Sequence, residues 1–200
     1  LEGEARPLAL KSSDAKVCSP VLARSIMPGL GRWAIEAQRG FLQGRVPGTG
    51  ILDIDTAARC TAMAAVGTPG LLAHFGFAAT FPSIDRKFTI KVLRAARYLG
   101  WVASLAAASW FEAQVVKDDG ANAYPMDSGV GQGSPAAAVL FVVGINPLLV
   151  AINQAISKAA GEPMSAYADN IAIVLKNFSR LDRIAARFAK CQLASALTLN

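Results

Sequence analysis

Residues 164–175 read MSAYADNIAIVL, and no other stretch indicates the fold as strongly. Two short apolar arms, Met164–Tyr167 and Ile171–Leu175, flank the polar residues Asp169 and Asn170. Apolar arms around a polar tip are typical of a β-hairpin. A carboxylate held at such a tip suits a hard divalent cation such as Mg2+, which prefers carboxylate oxygens. The alternative is an ordinary turn, because Asp and Asn are residues that turns favour.

A glycine-rich segment, Gly129–Pro135, lies upstream of the hairpin and opens a long apolar stretch predicted to be helical over Pro135–Ala160. Flexible backbone at a helix N-terminus can approach a phosphate or a base closely; the alternative is a glycine-rich loop that binds nothing. Residues 135–152 carry no charge and are near the lower length limit for a membrane span. Because Gly144 and Pro147 interrupt them and basic flanks are missing, a buried core helix is favoured over a membrane helix.

The other elements complete an α+β order with an antiparallel sheet. In chain order they are a helix from Asp14 to Ile26, a helix capped by Asp53 or Asp55 and ending near Ala65, a strand over Leu71–Phe77, a helix over Ile84–Leu99 capped by Ser83, a helix over Val102–Trp110, a hairpin of Glu112–Lys117 and Ala121–Met126, and a last helix from Ser179 to Ala194.

Composition narrows the class of protein. The chain has 200 residues, 53% of them hydrophobic, which excludes a disordered tail. A net charge of +6 is compatible with a polyanionic partner. Three widely spaced cysteines, Cys18, Cys60 and Cys191, indicate neither a disulfide framework nor a zinc site. The start at Leu1 suggests a fragment of a longer protein, and no signal peptide is evident, so a nuclear or cytoplasmic location is expected.

Six segments, taken in order, resemble the conserved boxes of reverse transcriptases of the non-LTR retrotransposon type. They are Arg6–Leu10 (RPLAL), Gln38–Arg45 (QRGFLQGR), Phe77–Asp85 (FAATFPSID), Gly129–Pro135 (GVGQGSP), Tyr167–Asn170 (YADN) and Ser195–Asn200 (SALTLN). Each box alone is weak evidence for the family, but the ordered set is strong evidence and covers nearly the whole chain.

The resemblance implies the fingers and palm of a right-hand polymerase. Residues 1–70 would be the fingers-like part and residues 71–200 the palm-like part of one continuous domain, with an antiparallel palm sheet backed by helices and the thumb absent. The implied partners are an RNA template, a DNA primer and dNTPs; no membrane and no protein partner are predicted. The implied cofactor is Mg2+, two ions of which bridge the primer 3′-oxygen and the incoming triphosphate.

This chain departs from the family at the positions that would hold the metal. Asp169 matches the first aspartate of the hairpin, but Asn170 replaces the second. Phe81 resembles the aromatic gate that rejects a ribose 2′-hydroxyl, and the catalytic aspartate five residues before it is here Gly76. The aspartate at 85 lies past the box, where a helix-capping role is expected. One carboxylate cannot hold two Mg2+ ions, so Mg2+ binding is expected to be weakened or lost and this copy to be inactive or nearly so.

The resemblance assigns a substrate-binding role to several other residues. Gln132 and Gly133 would lie near the template-primer and the nucleotide, although Gly131 stands where an arginine is usual. Arg45 matches a fingers arginine that could contact the triphosphate, and Arg6 belongs to a second fingers box.

Two basic stripes follow helical spacing. They comprise Lys87, Lys91, Arg94 and Arg97 in one stretch, and Lys176, Arg180, Arg183, Arg187 and Lys190 in the other. Such a stripe predicts a phosphate-tracking surface, or else it is the solvated face of an amphipathic helix.

Three functional hypotheses remain: a decayed or fragmentary polymerase domain, a non-catalytic nucleic-acid-binding module with a polymerase-like fold, and a structural or membrane-associated domain that carries the boxes by chance. The polymerase reading makes one spatial prediction. Residues 76 and 169 should be neighbours on an antiparallel sheet, with the helix that begins near residue 134 behind it.

Overall fold

The computed structural model describes residues 13–64, 70–110, 114–116, 123–131, 133–156 and 161–200, which form seven α-helices and five β-strands. The elements are α1 Ser13–Trp33, α2 Pro47–Ala64, β1 Leu71–Phe75, α3 Thr80–Ser83, α4 Arg86–Ala95, α5 Gly100–Ala108, β2 Gln114–Val116, β3 Ala123–Pro125, α6 Pro135–Ala155, β4 Met164–Tyr167, β5 Asn170–Leu175 and α7 Leu181–Ser195. This mixed order with an antiparallel sheet confirms the predicted α+β class.

The main sheet has the strand order β1-β5-β4 and is antiparallel throughout. Strands β4 and β5 form the predicted hairpin, in which Tyr167 pairs with Asn170 across a two-residue turn. Strand β1 lies on the other side of β5 and ends with Phe75 opposite Ile171. The second predicted hairpin is also present as the pair β2–β3, although its turn lies outside the described residues.

Helix α6 is the centre of the hydrophobic core. Most of its side chains, among them Phe141, Ile145 and Leu149, are buried, and these three share one cluster with Ile171 and Ile173 of β5. Within the described residues α6 is also the one helix long and apolar enough to cross a membrane, but most of that apolar length is covered by the rest of the protein. The structure therefore agrees with the core helix that the sequence favoured.

Helix α1 is longer than predicted, because it continues past Ile26 and through Pro28 to Trp33. Leu22, Ile26 and Leu30 follow one another at intervals of four residues and are fully buried, and α1 lies against α6. Burying each such side chain contributes about 1.5–3 kcal/mol, which offsets the cost of a proline in the helix.

The helix predicted over residues 84–99 is shorter, spanning Arg86–Ala95, and a break at Ile84 separates it from the short helix α3 before it. Ile84 has extended backbone between α3 and α4, and its buried side chain fits against Gly144 of α6. Asp85 is the N-cap of α4, its carboxylate accepting a hydrogen bond from the Phe88 amide. The expected capping role of Asp85 is confirmed, whereas Ser83 lies inside α3.

Helices α2 and α7 also begin differently from the prediction. Helix α2 begins at Pro47, before either predicted cap, since proline is well tolerated in a first helical turn. Asn177, instead of Ser179, caps a short 3-10 turn over Phe178–Arg180 that leads into α7. Helix α6 ends at Ala155, and the end predicted at Ala160 falls outside the described residues.

Candidate functional site

The tip of the β4–β5 hairpin consists of Ala168 and Asp169. Ala168 has a left-handed backbone, with φ of 54°, which closes the turn in two residues. The Thr80 hydroxyl, on the first residue of α3, lies 2.7 Å from Asp169 Oδ2 and 3.1 Å from the Phe77 carbonyl oxygen. The hydroxyl has one proton and can donate it to either oxygen. Thr80 therefore links the segment after β1 to the carboxylate at the tip.

Position 76 follows β1 directly and faces Asn170, the first residue of β5. A β-carbon built on Gly76 would lie 3.9 Å from Asn170 Oδ1, and no other described atom beyond the chain neighbours would come within 4 Å. The φ of Gly76 is also outside the left-handed region that favours glycine. The backbone therefore does not require glycine at this position, and a side chain fits there. The predicted proximity of position 76 to the hairpin tip is confirmed.

The oxygen donors around this point do not fit a pair of divalent ions. Among the described residues, no three His, Cys, Asp or Glu side chains come together in a metal-binding arrangement. The Gly76 carbonyl accepts a hydrogen bond from the Asn200 amide at 3.0 Å, and the Asp85 carboxylate caps α4. Asp169 is left with the neutral amide oxygen of Asn170, whereas a two-ion site needs several carboxylates.

A loop that follows α1 holds the hairpin from the free edge of β4. Gln38 forms a parallel bridge with Ala166, supported by hydrogen bonds from the Arg39 amide to the Ala166 carbonyl (2.7 Å) and from the Ala166 amide to the Ala37 carbonyl (2.8 Å). The Gln38 side chain is 0% exposed. Its amide reaches Ala168, donating to the Ala168 carbonyl at 3.2 Å and accepting from the Ala168 N–H at 3.0 Å.

Two further residues of the box, Gly40 and Phe41, complete this contact. A β-carbon on Gly40 would lie 2.5 Å from the Ala168 nitrogen, so only glycine allows the two backbones to approach so closely. The ring of Phe41 packs on the ring of Tyr167, with centroids 5.8 Å apart. The box is recognisable in the sequence by resemblance, but its contact with the hairpin is not, because residues 38 and 168 are 130 positions apart.

Arg45 closes the same loop. Its guanidinium donates to the carbonyl oxygens of four residues, one in α1 and three in the turn that follows, namely Gly31, Ala34, Ile35 and Gln38. Burial, followed by the neighbouring Arg39 guanidinium, lowers the pKa of Arg45. The contact of Arg45 with a triphosphate remains a prediction, and in this structure its nitrogens are occupied by backbone oxygens.

The other predicted substrate residues are more scattered. The half-buried ring of Phe81 packs on Phe141 of α6, with centroids 5.0 Å apart, and its role as a gate remains a prediction. Gly133 is exposed and has φ of 87°, as expected of a flexible loop before α6. Gln132 and Arg6 lie outside the described residues.

The basic stripes lie mostly on the surface. The exposed side chains are Lys87, Lys91, Arg94 and Arg97 on and just after α4, and Arg183, Arg187 and Lys190 on α7. Arg180 differs, because it pairs with the buried carboxylate of Glu162 at 3.2 Å. Both stripes are accessible to a polyanion, and their role in binding nucleic acid remains a prediction.

Similar folds occur in solved telomerases. Telomerase from Candida albicans, in complex with the TWJ fragment of telomeric RNA, superposes with a TM-score of 0.66 at 12% identity, over 93% of this chain and 34% of that one. Apo telomerase from Candida tropicalis truncated from its C-terminal domain gives 0.61 at 11% identity, over 94% of this chain and 39% of that one. This chain thus spans little more than a third of the length of either.

Comparison with curated proteins gives no match. The sequence model of the reverse transcriptase (RNA-dependent DNA polymerase) family matches residues 2–200, which is nearly the entire chain. The fold, the hairpin with Asp169 at its tip and this match agree, and the chain belongs to the reverse transcriptase family.

Proposed function

We propose that this chain is the fingers and palm of a reverse transcriptase of the non-LTR retrotransposon type, inactive or nearly inactive in this copy. The observation that carries the proposal is the position of Gly76. It faces Asn170, the residue that follows Asp169, and by resemblance it is the position of a catalytic aspartate. The ordered boxes support the retrotransposon type, and residues 1–70 and 71–200 correspond to the fingers-like and palm-like parts.

Loss of activity follows from electrostatics. Template-directed synthesis joins a dNTP to a primer 3′-end, and divalent ions held by carboxylates supply charge neutralisation at the transferring phosphate. Gly76 offers no side chain, and Asn170 keeps an oxygen but not the charge. Asp169 alone leaves the site without the negative charge that two Mg2+ ions require. The missing carboxylates affect metal binding and phosphoryl transfer, and the sheet is intact without them.

A second candidate function is a non-catalytic nucleic-acid-binding module that keeps the polymerase fold. The exposed basic side chains of α4 and α7 favour it, because they would neutralise phosphates whether or not the carboxylates were present. If they bind an RNA template or a primer, the affinity falls steeply as salt rises. A flat dependence on salt would remove this support.

Primer extension on an RNA template separates the two candidates. The natural chain, both single reversions Gly76→Asp and Asn170→Asp, and the double reversion are compared with Mg2+ and with Mn2+. The natural chain should incorporate no dNTP, and the double reversion should gain at least about 100-fold over background, since electrostatic groups of this kind contribute several kcal/mol to a barrier. Gly76→Asn combined with the natural Asn170 is the matched control, because it adds a side chain of the same size without charge.

Two results would change the conclusion. Robust incorporation by the natural chain would show that the proposed inactivity is wrong. A double reversion that binds template-primer in a salt-dependent manner but never extends it would favour the binding module.

A further inference from the structure

One buried side chain outside the sheet holds the turn that carries Asp169. Gln38 Oε1 accepts hydrogen bonds from the amides of Ala168 (3.0 Å) and Gly40 (2.8 Å), while Nε2 donates to the Ala168 carbonyl oxygen (3.2 Å). The amide of Gln38 therefore binds both backbone polar groups of a single turn residue. An amide is the side-chain group that can accept and donate in this way without carrying charge.

Binding both groups of Ala168 fixes the orientation of Asp169. The peptide plane that precedes Ala168 contains its N–H, and the plane that follows contains its C=O and leads directly into Asp169. Since each peptide unit is planar, a fixed carbonyl leaves little freedom for the nitrogen of the next residue. Ala168 is also held in a left-handed conformation that an alanine does not favour, at φ of 54°, so the turn needs external support.

Gln38 is itself held firmly. Its loop forms the bridge with β4, and Arg45 donates a hydrogen bond to the Gln38 carbonyl oxygen at 2.7 Å. Gly40 allows the loop to lie directly against the turn. A functional group is precisely placed when the residues behind it are locked by packing and hydrogen bonds, and Gln38 meets both conditions.

We propose that Gln38 is a positioning residue, which sets the direction of the Asp169 carboxylate relative to position 76 by binding the N–H and C=O of Ala168. The proposal rests on the proposed function in one respect, namely that Asp169 and position 76 form the polymerase site. The hold on the turn is a property of the natural chain and can be measured without any activity.

The first test is amide hydrogen exchange, measured by NMR on the natural chain and on Gln38→Met. Methionine keeps the length of the side chain and removes both hydrogen-bonding groups. The Ala168 protection factor should fall at least about tenfold, while that of Ile173 in the middle of β5 changes much less. Gln43→Met is the matched control, because Gln43 lies on the same loop with an exposed side chain. Equal protection of Ala168 in Gln38→Met and the natural chain would overturn the proposal.

The second test separates positioning from a merely structural role. Gln38→Glu places a carboxyl in a fully buried site, where burial favours its neutral form. The protonated carboxyl has an O–H and a C=O and can replace the amide, whereas the ionised form can only accept. The Ala168 carbonyl oxygen should therefore keep its donor at low pH and lose it as pH rises, which the carbonyl 13C chemical shift of Ala168 reports. A shift that does not depend on pH would contradict the two-point hold.

The third test uses the Gly76→Asp, Asn170→Asp chain. Adding Gln38→Met should lower kcat at least about tenfold with little change in the KM for dNTP, while Gln43→Met leaves both unchanged. If kcat is retained, Gln38 supports the fold and does not position the site. If the double reversion shows no extension with any residue at 38, the proposed function fails, and the exchange measurements still decide whether Gln38 holds the turn.

Discussion

The loop that supports the hairpin, Gln38–Arg45, is held by several hydrogen bonds, whereas the tip of the hairpin carries a single carboxylate, Asp169. Both backbone polar groups of Ala168 are bound by Gln38, and the loop behind Gln38 is held by Arg45. Beside the tip, positions 76 and 170, where the resemblance implies aspartates, hold glycine and asparagine in this chain. Asn170 is exposed and Gly76 has free space above it, so changing either costs the fold little. Function in this chain can therefore be lost before stability is.

The largest expected effect is a loss of stability in the loop that supports the hairpin. Arg45→Met keeps the apolar stem but leaves the carbonyl oxygens of the loop and of the end of α1 without their donor. Unfolding free energy should fall by about 2–4 kcal/mol, since four backbone oxygens, three of them in partly buried hydrogen bonds, lose a charged donor. Denaturant titration measures the change.

Arg24→Met on α1 is the control, because Arg24 is exposed; its effect should stay within about 0.5 kcal/mol. Equal effects of the two substitutions would show that the support is less important than its hydrogen bonds suggest.

A smaller effect is expected where α3 contacts the tip. Thr80→Val removes the hydroxyl that lies 2.7 Å from Asp169 Oδ2 and preserves the shape of the side chain. Stability should fall by about 0.5–1.5 kcal/mol, the usual net value of one hydrogen bond. Thr198→Val, at an exposed position, should have almost no effect by the same denaturant titration. A loss of more than about 3 kcal/mol would mean that the tip still contributes to the fold as strongly as its support does.

The smallest effect is a gain in stability. Ala196 ends α7 in a left-handed conformation, with φ of 60°, at a position where the family box has glycine. Ala196→Gly should raise stability by about 0.5–1 kcal/mol, because glycine adopts this conformation without steric cost. Ala194→Gly, inside the last turn of α7, should lower the melting temperature instead, since glycine is unfavourable within a helix. Destabilisation by both substitutions would contradict the account of Ala196.

The sequence predicted local structure better than the contacts between distant segments. The hairpin at 164–175, the core helix after Pro135 and the proximity of positions 76 and 169 followed from apolar patterning and resemblance. The length of α1 was missed because its packing on α6 outweighs Pro28, and the break at Ile84 depends on the space beside Gly144. The role of Gln38 could not be predicted, because hydrogen bonds to a turn 130 residues away leave no periodic pattern. Its one indication was an uncharged polar residue two positions before a glycine in a recognisable box.

The central claim is that the site has lost its charges while its geometry is preserved. Cross-strand NOEs in solution test this most directly. The account predicts NOEs between backbone protons of Gly76 and Asn170, as between Phe75 and Ile171, because paired residues on adjacent antiparallel strands have Cα atoms about 4.5–5.5 Å apart. If the Phe75–Ile171 contacts are seen and those between 76 and 170 are absent, the strands have separated at the site, and its geometry is not preserved.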